Sequence, residues 1–379
     1  MTDTADRQQG SSQCPSCGVP FEPGDQFCEG CGASLAGDGP PVTARSGPHH
    51  AEAGGLPVPA ATQTSGSIPT APVPSARTGR CVGCRAPAAA IDADGYCTEC
   101  GLHQPGPRDH QELDLGMAAG VSDRGRHHQR NEDAFHLERT ACGAIVTVVC
   151  DGVSSSVHPE VASQAAADVA GAVLAAATDP GLGRLVDATV DGMGAAQQAV
   201  AAIPWTDDGS QLASPSCTLV SAACRDGAVA VGWIGDSRAY WIGAHGIRQL
   251  TVDNSWAEAE VESGRMTELE ADGDPRSHAI TRWLGADAPD GEPQVTTVEP
   301  DGPGRLLVCS DGLWNYAPTA GQMTEVVASH STGATPIEAA RALTDFALAA
   351  GGHDNITVVI IDLDPGASGP ESDGQKGMA

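Results

Sequence analysis

Residues 148–155 read VVCDGVSS, an apolar run that ends in an Asp-Gly pair. A carboxylate there, Asp151, sits at the tip of a rigid strand, and Gly152 lets the backbone turn and bring its own carbonyl close to a ligand. Three further acids share the order of strand, acid and turn: Asp236 in WIGDSR, Asp311 in LLVCSDGLW and Asp354 in GGHDNITVVII. An earlier pair, Glu132 and Asp133 in RNEDAF, precedes a short apolar segment. Oxygen-only donors of this kind select hard cations such as Mg2+ or Mn2+, so the five stretches are read as one metal site assembled from distant parts of the chain. Each acid alone means little, since a lone Asp-Gly such as Asp301-Gly302 is usually a turn.

The chain has 379 residues, enough for one large domain and small modules. Acidic residues outnumber basic ones 49 to 20, a formal charge of -29, which disfavours broad binding to nucleic acid or anionic lipid. Basic residues gather only between Arg124 and Arg130, beside the acidic cluster. There is no run of about 18 apolar residues and no apolar segment near the N-terminus, so a cytoplasmic protein is expected.

Eight of the 13 cysteines fall into four CxxC pairs. Cys14, Cys17, Cys28 and Cys31 form one doubled set, Cys81, Cys84, Cys97 and Cys100 the other. Each set presents four thiolates to one tetrahedral zinc, so two structural Zn2+ ions and two zinc ribbons, 12–33 and 80–103, are expected. Redox dithiols or one split four-cysteine site are the alternatives. Neither ribbon can bury a core by itself, so the metal supplies its folding energy. The ribbons act either as stable knobs or as docking modules for protein partners. The other five cysteines, Cys142, Cys150, Cys217, Cys224 and Cys309, read as small buried hydrophobes.

Residues 34–79 are rich in Pro, Ala, Gly and Ser without an aromatic and are expected to be a disordered tether, with His49 and His50 solvated. A second linker is expected over 104–114, a large domain over 115–364, and a disordered tail over 365–379. Within the large domain, strands are expected at 117–121, 144–150, 217–224, 228–234, 239–242, 295–298, 305–309 and 356–363, with a hairpin turn at Arg225-Asp226-Gly227. Helices are expected at 159–178, 182–203, 319–329 and 336–350, and one or two exposed helices with a loop over 253–274. Val161, Ala165, Val169 and Val173 are expected to form the apolar face of the first helix. Consecutive hairpins with paired helices predict an α+β layered domain.

The ordered set RNEDAF, VVCDGVSS, CTL, IGDSRAYWI, LTVDNS, VCSDGLW and DNITVVII resembles the protein phosphatase 2C family, the metal-dependent PPM class, in its bacterial form. The resemblance covers the large domain and almost none of the first 110 residues. It implies a four-layer α-β-β-α sandwich of two antiparallel sheets flanked by helix pairs. It also implies hydrolysis of phosphoserine and phosphothreonine by a water activated at a dinuclear Mg2+ or Mn2+ site, on phosphoprotein substrates of serine/threonine kinases. Carried onto this chain, it makes Asp151 the bridge between two ions, Gly152 and Glu132 ligands of one, and Asp311 and Asp354 ligands of the other. Asp133 becomes an acceptor beside them, and Asp236 with Asp311 the holders of a third, weaker ion. Thr218 and Asn355 resemble structural residues, and 253–282 the family's flap. The family's phosphate-gripping Arg is replaced here by His128, which leaves Arg126, His128 and Arg130 as candidates for phosphate binding. The His that follows Asp-Gly in some members is Val153 here, and nearby His158 reads as a loop residue. The competing functional reading is a pseudophosphatase that binds phosphoproteins without turnover. A nucleic-acid-associated regulator built on the ribbons is weighed against by the charge.

Overall fold

The computed structural model describes residues 12–13, 20–21, 80–81, 84–91, 96–101, 104–176, 181–206, 213–289, 291–300 and 302–364. The first ribbon's cysteines, His49 and His50, the tether 34–79, Asp301 and the tail 365–379 lie outside these residues. The chain divides into two compact units, Met1–Pro107 and Arg108–Ala379.

In the first unit the second set of cysteines converges. The sulfurs of Cys81, Cys84, Cys97 and Cys100 all lie within 4.8 Å of one another. Cys81 and Cys100 are 3.6 Å apart, Cys84 and Cys97 3.5 Å. A tetrahedral zinc with bonds of about 2.3 Å asks for sulfurs about 3.8 Å apart, so the donor set fits that ion. The knuckle is shaped by the amide of Cys84, which donates to Cys81 Sγ at 3.4 Å.

The second unit carries two antiparallel sheets. One has five strands: β3 (Ala134–Arg139), β4 (Ile145–Cys150), β6 (Leu219–Arg225), β7 (Ala228–Ile234) and β11 (Gln294–Val298), in the order β11-β7-β6-β4-β3. The other has six: β1 (His110–Asp114), β2 (Ala118–Asp123), β8 (Arg238–Gly243), β9 (Gly246–Gln249), β12 (Gly304–Cys309) and β13 (Ile356–Leu363), in the order β9-β8-β12-β13-β2-β1. Two-residue strands β5 (Ser216–Cys217) and β10 (Leu284–Gly285) pair with each other. The β6–β7 hairpin closes where expected, with Asp226 at φ 50° and Gly227 at φ 81°, the pair of left-handed residues that a tight hairpin needs.

Helices α1 (Pro159–Ala176) and α2 (Leu182–Ala201) cover the outer face of the five-stranded sheet. Helices α5 (Asp311–Trp314), α6 (Ala320–His330) and α7 (Pro336–Ala350) cover the six-stranded one. A third apolar cluster, with Val149, Val220, Leu306 and Val359, fills the space between the sheets. This is the expected four-layer α+β sandwich. Helix α7 starts where Thr335 and Glu338 form a capping box ahead of Pro336, which satisfies amides the helix itself leaves free.

Three local expectations are corrected. Residues 104–114 are not a linker throughout: β1 is an edge strand paired along β2, from His110 opposite Asp123 to Asp114 opposite Ala119. Its sequence HQELD shows no apolar alternation because an edge strand leaves nearly every one of its residues at the surface. The apolar face of α1 is also not the valine row. Val161 is exposed, while Ala162, Ala166, Ala170 and Leu174 are buried, because small side chains let α1 lie close to β3, β4 and α2. Among the five extra cysteines four are buried, but Cys142 is partly exposed in the β3–β4 turn, with Thr140 Oγ1 3.0 Å from its sulfur.

Candidate active site

The acids of the sequence motifs meet at one edge of the sandwich, where strand ends from both sheets open into loops. Asp151 follows β4, Asp236 lies between β7 and β8, Asp311 follows β12 and opens α5, Asp354 precedes β13, and Asp133 precedes β3. Each sits at a strand end because the ladder must stop there for a side chain and a turn to face outward.

Their charges register one another. Burial pushes Asp151 well above the ordinary carboxylate range, and Asp133, Asp311, Asp354 and Asp236 push it the same way. Asp311 is raised by burial, then by Asp354 and Asp236. Burial raises Asp133 to about 6 against hydroxyl donors that pull it down, and it raises Asp236 to about 7. Asp133 Oδ1 and Asp311 Oδ1 are buried with no donor. A group of buried acids that repel one another and leave oxygens unsatisfied is a donor set suited to hard cations. These oxygens are spread more widely than the ribbon's sulfurs, which among the described residues form the group of ligand atoms within 4.8 Å.

The supporting bonds explain the local shape. Thr218 donates its amide to the Asp151 carbonyl at 2.8 Å, and its hydroxyl accepts from the Asp151 amide at 3.2 Å. Asn355 accepts from the Glu132 amide at 2.6 Å and donates to the carbonyls of Arg124 and Arg130, at 2.8 and 3.1 Å. Gly152 is required by close approach: a Cβ there would lie 2.7 Å from the Pro159 carbonyl oxygen and 2.8 Å from that of Glu132.

Several contributors were not singled out in the sequence, some of them inside the motifs themselves. Ser310 and Thr357 donate their hydroxyls to Asp133 Oδ2, both at 2.7 Å. Ser122 lies 2.8 Å from Thr357 Oγ1 and accepts from Asn131 at 2.8 Å. Arg108, from the stretch expected as linker, donates to the Asp133 carbonyl at 2.9 Å. Asn131, Ser310 and Thr357 lie within the motifs RNEDAF, VCSDGLW and DNITVVII, whereas Ser122 and Arg108 carry no signal in the sequence.

The remaining candidates divide. Glu132 is turned toward protein donors: Arg130 Nε at 3.1 Å on one oxygen, Ser154 Oγ at 2.7 Å on the other. Arg130 is shared with Glu160 at 3.4 Å, and His128 Nε2 lies 3.1 Å from Asp354 Oδ1. Arg126 is exposed at the rim, with its amide bonded to the Gly352 carbonyl. His158 is exposed at φ 52°, its carbonyl accepting from Val161 and Ala162 at the start of α1, which is the loop role expected. Val153 donates its amide to the Ser216 carbonyl.

Comparison with known proteins places both parts of the chain in known families. The family profile described as Protein phosphatase 2C matches residues 122–346, and that described as Double zinc ribbon matches residues 14–101. Serine/threonine phosphatase stp of Listeria monocytogenes is 28% identical over 249 residues, covering 64% of this chain and 94% of the relative. Serine/threonine protein phosphatase PstP of Mycobacterium tuberculosis is 32% identical over 252 residues, covering 65% of this chain and 44% of the relative. The solved catalytic domain of PstP in complex with two manganese ions is 29% identical with a TM-score of 0.51, covering 65% of this chain and 98% of that one. No helix among the described residues is long and apolar enough to cross a membrane.

Proposed function

The chain belongs to the protein phosphatase 2C family, and from that premise we propose that it removes phosphate from phosphoserine and phosphothreonine of proteins at a dinuclear Mg2+ or Mn2+ centre built on Asp151. The observation that carries this reading is the convergence of Asp133, Asp151, Asp236, Asp311 and Asp354 at strand ends of both sheets, with Asp133 Oδ1 and Asp311 Oδ1 buried and unpaired and with Asp151 raised by the four other acids. Asp151 with the Gly152 carbonyl would hold one ion and share the other with Asp311 and Asp354, with Asp236 available to a third. When bound, such ions neutralise the phosphoryl oxygens and lower the pKa of water.

The chain's own groups do the rest. Asp133, held through Oδ2 by Ser310 and Thr357, keeps Oδ1 free as a proton acceptor. Arg126 is the phosphate-binding candidate whose guanidinium forms no ion pair among the described residues, whereas Arg130 is committed to Glu132 and Glu160 and His128 to Asp354. Glu132 would be a further ligand of the ion held by the Gly152 carbonyl; its oxygens accept from Arg130 Nε and Ser154 Oγ. The ribbons are docking modules for protein partners, with zinc as a structural ion.

The test is phosphate release from a phosphothreonine peptide by the full chain with Mn2+ and with excess EDTA. Turnover with Mn2+ and none with EDTA is expected; equal turnover in both would remove the metal-dependent mechanism.

Acid titration provides a second check. Asp133 and Asp236 keep protons in the native state up to about pH 6 and 7, whereas the unfolded chain releases them near 4. In the cation-free protein, stability from this site is therefore present below about pH 4 and lost as pH rises from there to the native values of about 6 and 7. Cations compete with those protons. The rise in melting temperature given by Mn2+ is expected to be larger at pH 8 than at pH 5, and an equal rise at both would show that these oxygens do not meet the ion.

A further inference from the structure

Beside the carboxylate cluster, and sharing Asp236 with it, lies a cavity of about 290 Å³. It is bounded on one side by α3 (Trp256–Glu262) and α4 (Glu268–Asp272), the two short helices of the 253–282 segment, and on the other by Trp314 and Pro318. Four carboxylates line it: Asp236, Asp253, Glu258 and Glu268. Its remaining wall includes the aliphatic side chain of Val261 and the indole of Trp314.

Among the described residues only Asp253 of the four acids is paired with a cation of the protein; the basic residues of the lining are Arg238 and His278. Arg238 also lines the cavity, but its fork is spent on Asp253, at 2.7 to 3.1 Å, and its plane lies 3.7 Å from the centre of the Trp314 ring. Arg265 is paired with Glu260 and Arg276 with Asp274, and Arg282 donates to the Glu292 carbonyl. Residues 253–282 contain eight acidic and three arginine residues, a difference of five negative charges. Among the described residues Glu258 and Glu268 have no ion pair. Glu258 is raised above the ordinary carboxylate range by burial and then by Asp253, Glu262 and Glu268. Asp236 is 6% exposed, and among the described residues its carboxylate accepts no hydrogen bond from any other residue.

We infer that this cavity takes the side chain of a lysine or arginine that stands a few residues from the phosphorylated serine or threonine of the substrate. This rests on the phosphatase reading and names the substrate class for that site. A long basic side chain matches both parts of the lining: its methylene stem lies on Val261 and Trp314, and its charged head reaches the acids. A cavity of this size is near the lower end of ligand pockets, about 300 Å³, and far larger than one ion needs. Asp236 belongs both to this lining and to the cluster around Asp151 and Asp311, so the cationic residue docks next to the reacting phosphate.

The experiment compares kcat/KM of the Mn2+-loaded full chain on phosphothreonine peptides that differ only in carrying Arg, Ala or Glu at the flanking positions, with p-nitrophenyl phosphate as a substrate that lacks any flank. The Arg peptides are expected to be preferred over the Ala peptides by roughly tenfold, equal to about 1.4 kcal/mol. Glu258→Gln combined with Glu268→Gln should shrink that ratio to about twofold without changing p-nitrophenyl phosphate turnover, and Lys at both positions should favour the Glu peptides. Equal kcat/KM for Arg and Ala peptides, with p-nitrophenyl phosphate still hydrolysed, overturns the inference and leaves the phosphatase reading intact. If the Gln variants instead raise the Mn2+ needed for p-nitrophenyl phosphate turnover and keep the peptide ratio, the cavity holds a divalent ion and the inference is overturned. If no substrate is hydrolysed, the phosphatase reading fails, and fluorescence anisotropy of labelled Arg and Ala peptides decides the docking question, equal affinities overturning it.

Discussion

Asp151→Ala is expected to lower kcat/KM for a phosphothreonine peptide by roughly three orders of magnitude at saturating Mn2+. The figure follows from several kcal/mol of charge stabilisation at the phosphoryl group and about 1.36 kcal/mol per decade of rate. Asp151 is the acid on which the four others bear, and in the proposed centre its removal would take away the carboxylate shared between the ions. The fold should survive, and even gain, because a buried acid raised by its neighbours is a destabilising element in the cation-free protein. Asp151→Asn keeps the shape while halving the donor strength and should fall between the two. Steady-state kinetics over a Mn2+ titration, with the melting temperature taken in parallel, read both effects. A variant within about tenfold of the native rate would show that the centre is not organised around this residue.

The second large effect is expected at a residue with no side chain. A Cβ on Gly312 would lie 1.9 Å from the Asn355 carbonyl oxygen and 2.8 Å from its carbon. Both are backbone atoms, which cannot swing aside as a side chain can. Gly312 follows Asp311, and Asn355 follows Asp354 and holds the Glu132 amide and the 124–130 loop. One added methyl in Gly312→Ala therefore pries apart the segments that carry two of the acids. Overpacking of this sort costs about 1–3 kcal/mol, which for a domain of this size is a fall of roughly 2–12 °C in melting temperature. A displacement near 1 Å at a reacting centre costs about 100-fold in rate, so activity should fall further than stability at a temperature where the variant is folded. Circular dichroism melts and kcat measured together test this; a variant with native melting temperature and native kcat would mean that the two backbones do not meet as closely as they do here.

The docking proposed for the cavity beside α3 and α4 sets a constraint on substrate. A protein with a formal charge of -29 attracts cationic partners in general, but that long-range field is screened over about 8 Å at physiological ionic strength. The lining acids act at contact distance, so the preference for basic flanks should persist in salt that weakens nonspecific attraction.

The layered fold was legible along the chain wherever burial imposes a period. Strands 228–234 and 356–363 and the helix 336–350 are found at the expected bounds, since a strand covered on both faces is a continuous apolar run and a capped helix announces its start. The valine row of α1 misled because helix packing here rewards small residues over large ones, a choice made by the neighbouring sheet. Strand β1 was hidden because edge pairing uses the backbone, which every sequence shares.

The acids of the site were legible as strand-end residues, but their company was not. That Ser310 and Thr357 serve Asp133, that Arg130 is held by Glu132 and Glu160, and that Asp236 lines the cavity beside α3 and α4 depend on distances between segments far apart in sequence. The order of residues determined which groups carry charge, which strands end in carboxylates and which thiols can share an ion, because these follow from local chemistry. Only the tertiary structure decided which of those groups face one another, which are neutralised by a partner and which remain free to act. Electrostatic and hydrogen-bond energies depend on separation and burial, and neither exists until the sheets have packed.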